Sequence, residues 1–121
     1  MLAVLKNIKA DAIYDNAIKQ IKKHGFCNNL TYDPYTSEID VWGAILLSCG
    51  AKQKLLKSGA TEPEECGIPP YMCGRARFVC EYLEIFVGEE ISMWCENHSK
   101  QEAISLLTYA SDRVAITVLS P

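Results

Sequence analysis

The sequence contains no run of 18 apolar residues, which excludes a helical membrane span on length alone. Its opening, MLAVLKNIKADAIYD, lacks a long apolar centre and a small-residue cleavage site, so no secretory leader is expected. There is no basic excess: 12 Lys and Arg stand against 15 Asp and Glu, for a formal charge of -3. That argues against a nucleic-acid binder, which carries a basic domain or stripe to neutralise phosphates. Glycine-rich phosphate cradles are missing too, with neither G-x-x-x-x-G-K nor G-x-G-x-x-G present. What remains is ordinary globular composition, 49% hydrophobic and 22% charged in 121 residues, enough for one domain with a real core.

Cysteine is the unusual abundance, at six: Cys27, Cys49, Cys66, Cys73, Cys80 and Cys95. Without a leader the expected compartment is the cytoplasm, where thiols stay reduced and a buried cysteine acts as a small hydrophobe. The sequons Asn29-Leu30-Thr31 and Asn97-His98-Ser99 then carry no glycan. Cys66, Cys73 and Cys80 recur every seven residues, which places the last two on one helix face. They would lie about 10 Å apart in rise, too far to share one metal.

Apolar spacing predicts helices throughout. Tyr14, Ala17, Ile18 and Ile21 share one face of a helix over about residues 8 to 24, which Gly25 stops after Lys22, Lys23 and His24. Residues 1 to 7 either extend it or form a short extended arm. GFCNNLTYDPYT is turn-rich, and three aromatics (Phe26, Tyr32, Tyr35) suit a loop that packs or binds. Thr36 or Ser37 is placed to cap the next helix, with Glu38 and Asp40 in its first turn. Trp42, Ile45, Leu46 and Cys49 form its apolar face, and the small pair Gly43-Ala44 would admit a close neighbouring helix. AKQKLLKS makes a short helix up to Gly59. TEPEECGIPP breaks the chain, and Pro69-Pro70 opens a helix whose buried face is read as Val79, Tyr82, Leu83 and Phe86, ending at Gly88. EEISMWC presents Ile91 and Trp94. Ser99-Lys100-Gln101-Glu102 is a capping box ahead of Ala103, Leu106, Leu107 and Ala110. The β-branched end, RVAITVLSP, fits either a last helical turn followed by an arm or a short strand pairing with the N-terminal arm. The expected architecture is a single all-α domain, a compact bundle of five to six short helices with possible short extended arms at the termini.

The order of these features, a helix ending in HGFC, a tyrosine/proline loop, DVWGAILLSCG, RARFVCEYLEIF and then ISMWCENHSKQEAISLLTYASDRV, resembles the phage and bacterial family catalogued as domain-of-unknown-function 6197. Trp42-Gly43-Ala44 stands close to that family's "W-x-x-GA" helix. Trp94-Cys95-Glu96, Ser99, Glu102 and Ile104 stand near its segment leading into a final helix, with Cys95-Glu96 in place of Asn-Asp. The resemblance spans about residues 10 to 113. It implies a small helical protein encoded by a phage or prophage, and no activity.

Four constellations bear on function. His24-x-x-Cys27 and Cys95-x-x-His98 mirror each other, and two His with two Cys form a tetrahedral zinc set if the fold brings the pairs together. Either histidine beside Cys27 or Cys95 would be the start of a nucleophilic site, but no hydrolase signature surrounds them. Arg75, Arg77 and Arg113 with Trp94 suit an anion pocket, or surface ion pairs with Glu81, Glu84 or Asp112. Six tyrosines and two tryptophans against three phenylalanines point to an interface, since Tyr, Trp and Arg dominate binding hot spots. The expectation is therefore a non-enzymatic protein-binding module, with no cofactor, that modulates or inhibits a host defence system. Its contact residues are expected at Tyr32, Tyr35, Arg75, Arg77 and Trp94. The alternative is a zinc or small-ligand binder using His24, Cys27, Cys95 and His98.

Overall fold

A computed structural model describes the backbone of residues 2–119 and the side chains of residues 10–114. It is all-α: α1 (Leu2–His24), α2 (Val41–Ser48), α3 (Gln53–Lys57), α4 (Pro70–Val87), α5 (Ile91–Glu96) and α6 (Lys100–Leu119), with one 3₁₀ turn at Pro63–Glu65. No sheet forms among the described residues. No described helix is long and apolar enough to cross a membrane.

The two longest helices make the most extensive pairing, α1 against α6, and α2 packs across α1. The expected face of α1 is present, with Tyr14, Ala17 and Ile21 fully buried. It meets Ala103, Leu107, Ala110 and Val114 of α6 and Val41, Ala44, Ile45 and Leu46 of α2 in one core. Small alanines on both long helices let the backbones approach, while Tyr14 spans to α4, donating its buried hydroxyl to the Val79 carbonyl at 2.6 Å. That bond also ties the phenol's proton, and burial pushes its pKa well above the ordinary value.

Both termini take the helical course that the sequence left open beside extended arms: α1 runs back to Leu2, where Leu, Ala and Lys are good helix formers, and α6 runs on to Leu119. Three other expectations are corrected. Met1, Ser120 and Pro121 lie outside the described residues. The second helix starts later than read: Asp40 is its N-cap, accepting Gly43 N–H at 2.8 Å, and Thr36 to Glu38 belong to the preceding loop. The small Gly43 admits not a helix but the loop backbone, since a Cβ there would stand 2.1 Å from the Thr31 carbonyl oxygen. Finally, α4 is rotated relative to its predicted face. Cys73, Ala76, Val79 and Leu83 are inside, and Tyr82 and Phe86 lie at the margin.

The remaining punctuation behaves as the residues dictate. Gly25 follows α1 in the left-handed region at φ 90°. Pro70 starts α4. The capping box closes in both directions, Ser99 N–H donating to Glu102 Oε1 at 2.9 Å and Glu102 N–H to Ser99 Oγ at 3.2 Å. Those bonds hold the Glu102 carboxyl below its usual pKa.

Candidate functional site

The loop from Gly25 to Asp40 is the longest irregular stretch between helices, and it is thoroughly braced. Ile39 is the pivot. It is fully buried and bridges Phe26 on one side and Tyr32 on the other, with Cys27 N–H donating to the Ile39 carbonyl at 2.9 Å and Ile39 N–H to the Gly25 carbonyl at 3.0 Å. Asp33 folds the tip. Its Oδ1 accepts the amides of Tyr35 at 2.8 Å and Thr36 at 3.2 Å, a side-chain turn that Asp favours, and Ser37 sits beyond it at φ 66°. Asn28 ties the loop to the far side of the chain, donating to the Cys95 carbonyl at 3.1 Å and the His98 carbonyl at 2.8 Å.

On this frame Tyr35 is 95% exposed, the most exposed large apolar residue described. Thr36 and Glu38 are linked by a hydrogen bond beside it. Tyr32, expected at the same surface, points inward instead: it is buried and stands edge-on to His24 at 6.3 Å. The loop thus divides its aromatics, Phe26 and Tyr32 to the core and Tyr35 to solvent.

The other expected contact residues separate. Trp94 is buried, with His98 stacked on it at 3.9 Å between ring centroids. Arg77 is paired, its guanidinium gripping Glu64 through two 2.6 Å bonds and reaching Glu62 at 3.1 Å. The partners are on the 3₁₀ turn and the residue before it, not the Glu81, Glu84 or Asp112 proposed from the sequence. The pair draws Glu64 down to about 2 and Arg77 upward. Arg75 lies over the Tyr71 ring at 5.9 Å and touches Met72 Sδ. Arg113 covers Tyr109 at 4.8 Å. These arginines line no common pocket with Trp94, which is inside.

The mirrored His/Cys pairs come near each other through Asn28, yet each member is otherwise engaged. His24 Nδ1 donates to the Ser37 carbonyl at 3.1 Å, and its Nε2 is buried with no hydrogen-bond partner among the described residues. His98 Nδ1 donates to the Trp94 carbonyl at 2.6 Å. Cys27 Sγ donates to the Leu30 carbonyl at 3.0 Å. Among the described residues no three His, Cys, Asp or Glu side chains are arranged to hold a metal ion.

Sequence reasoning missed Asp40. It is a nearly fully buried carboxyl, and Cys27, Cys80 and Cys95 lie close enough for its charge to raise their pKa values. Burial lifts Asp40 itself to about 7, against the pull of the Gly43 and Trp42 amides. Cys95 is held at about 12 and Cys80 higher, both mainly by burial. These sulfurs are therefore thiols, not the thiolates that nucleophilic chemistry requires. Only the capping pattern Asp-x-x-Gly, followed by an apolar run, carried a trace of the buried acid.

No family model, curated protein or solved structure matches this chain.

Proposed function

We propose that the chain is a non-enzymatic protein-binding module whose recognition element is the braced loop, with Tyr35 as its anchor. The observation that carries this reading is the pairing of near-total exposure at Tyr35 with a loop already fixed by Asp33, Ile39 and Asn28. An exposed aromatic on a loose loop would forfeit affinity in ordering it. Here the ordering is done before the partner arrives. Tyrosine suits the role, offering a large ring and a polar tip for little rotamer entropy. The flanking Asp33 and Glu38 give the partner's chemistry: an apolar slot deep enough for a phenol, rimmed by Lys or Arg.

The family resemblance adds that such a partner belongs to a host cell, with the chain as a phage- or prophage-encoded modulator of a defence system in the cytoplasm. The zinc reading has no comparable support, because its four candidate ligands do not converge.

The test is affinity capture from host lysate followed by titration of the captured partner. Tyr35→Ala should weaken binding by at least about 30-fold, the 2 kcal/mol typical of an anchor, with thermal stability unchanged. Tyr35→Phe should lose much less. A Tyr35→Ala protein that binds as tightly as the original removes the loop from the interface.

A further inference from the structure

Charge is unevenly spread along the chain. Residues 78–99, the second half of α4 with α5 and the turns around it, hold five glutamates and no lysine or arginine. Every one of the 12 Lys and Arg lies outside that stretch. Glu84 is spent on the Ile91 amide at 2.9 Å, but Glu81, Glu89 and Glu90 are exposed and have no ion-pair partner among the described residues. The backbone adds to them. α4 ends at Gly88 with no basic residue in its last turn, so no side chain of its own offsets the negative pole of its dipole, whereas α1 closes on Lys22, Lys23 and His24.

The same stretch is apolar on its outside. Phe78 is 45% exposed and Ile85 76%, and with Glu81 they fall at i, i+3 and i+7 on one face of α4. Glu89 and Glu90 stand in the turn just past the end of that face. The rings beside it are fixed in place: Tyr82 packs on Phe78 at 6.1 Å and on Phe86 at 5.0 Å, and Phe86 on Tyr109 of α6 at 5.1 Å. A partner therefore meets a preformed platform and loses little in ordering it. The glutamates set the partner's sign. A second copy of this face would bring glutamate against glutamate, and an uncharged apolar surface would cover the carboxylates without a counter-charge. The backbone sets its form. No sheet edge exists among the described residues for an extended segment to pair with, so the segment that fits is a helix, whose own hydrogen bonds are already closed.

We infer that the second half of α4 and the turn after it form a docking surface for a cationic amphipathic helix of another protein. Its apolar side chains cover Phe78 and Ile85 while its Lys or Arg side chains reach Glu81, Glu89 and Glu90. From Phe78 to Ile85 the contact is two helical turns, about 10 Å. An interface that short falls below the standard size, so the complex is transient, with a Kd of about 10 to 100 μM. The glutamates steer the encounter, which makes it sensitive to salt. The inference is independent of the Tyr35 loop, with which it shares no residue.

The probe is a synthetic peptide of leucine and lysine, about 14 residues long with its leucines three and four apart, titrated calorimetrically into the full chain. It should bind in the stated range and weaken as salt is raised. A leucine/glutamate peptide of the same pattern and a serine/lysine peptide of the same charge should each bind at least about tenfold more weakly. Ile85→Ser, which leaves the charge alone, should weaken the leucine/lysine peptide about tenfold. Glu81→Lys and Glu89→Lys should each weaken it about fivefold. Glu65→Lys, the same reversal at an exposed site on the 3₁₀ turn, and Tyr35→Ala should each change it by less than about twofold. All five substitutions are at exposed positions, and circular dichroism confirms that each variant keeps its helices. No binding at about 1 mM peptide overturns the inference. So does a serine/lysine peptide that binds as well as the leucine/lysine one, or a Glu65→Lys loss as large as that of Glu89→Lys, since the attraction would then belong to net charge and not to this face. A leucine/glutamate peptide that binds equally overturns the cationic assignment, and a loss on Tyr35→Ala moves the site to the loop.

Discussion

Asp40→Asn separates the two roles of the buried carboxyl, helix cap and suppressed charge. The side chain is 2% exposed and accepts the Gly43 amide at 2.8 Å, a bond that asparagine's carbonyl reproduces. The native protein holds the Asp40 proton up to about pH 7, whereas the unfolded chain releases it near 3.8. Because the folded value is raised, the native state binds the proton that the unfolded state has lost. Stability from this group is therefore full below about pH 4, declines as pH rises through that window, and is at its floor above about pH 7. The spread between the two values corresponds to about 4 kcal/mol, taken as a ceiling since burial relaxes when charge appears. Asparagine carries no charge at any pH and escapes that loss. Urea unfolding should thus show Asp40→Asn near parity with the original at about pH 4 and more stable by up to about 4 kcal/mol at about pH 8. Carboxyls held low, such as Glu64 and Glu102, slope the other way but cancel in the difference between the two proteins. A difference that stays flat with pH, or an asparagine variant less stable at the alkaline end, refutes the reasoning.

Two further perturbations probe the same region. Gly43→Ala should lower stability by about 2 kcal/mol or more by the same urea assay, against the gain of up to about 1 that alanine brings to an open helix, because its methyl would strike the Thr31 carbonyl. An unchanged or raised midpoint would show that the loop shifts freely away from α2. Thiol titration with an aromatic disulfide at about pH 8 should find the native chain nearly inert, since five of the six cysteines are buried and burial raises Cys49, Cys80 and Cys95 furthest. All six should react in denaturant, and two or more fast thiols in the native state would contradict the buried assignment.

Where apolar period and capping chemistry spoke together, the chain was readable. The capping box at Ser99 and Glu102, the proline start at Pro70 and the glycine stop after His24 are local, each decided by residues within one turn. The second helix was read three to four residues early because Thr36 and Ser37 are as good at capping as Asp40. What decided between them was Ile39, whose burial between Phe26 and Tyr32 pulls residues 36 to 39 out of the helix and into the loop. That is a contact across the loop, invisible to a scan along it. The division of Tyr32 from Tyr35 follows from the same pivot: three residues apart in a turn, they face opposite ways only because Asp33 bends the chain between them.

The misreading of α4 has a more general cause. A helix with one apolar stripe announces its buried face, but α4 carries two, one of Cys73, Ala76, Val79 and Leu83 and the other through Tyr71, Phe78 and Ile85. Spacing alone cannot rank them. The spacing reading takes Val79, Tyr82, Leu83 and Phe86 together, two residues that are buried and two that lie at the margin. Packing chose the smaller set, because α4 lies where Tyr14 already fills the space and donates to the Val79 carbonyl.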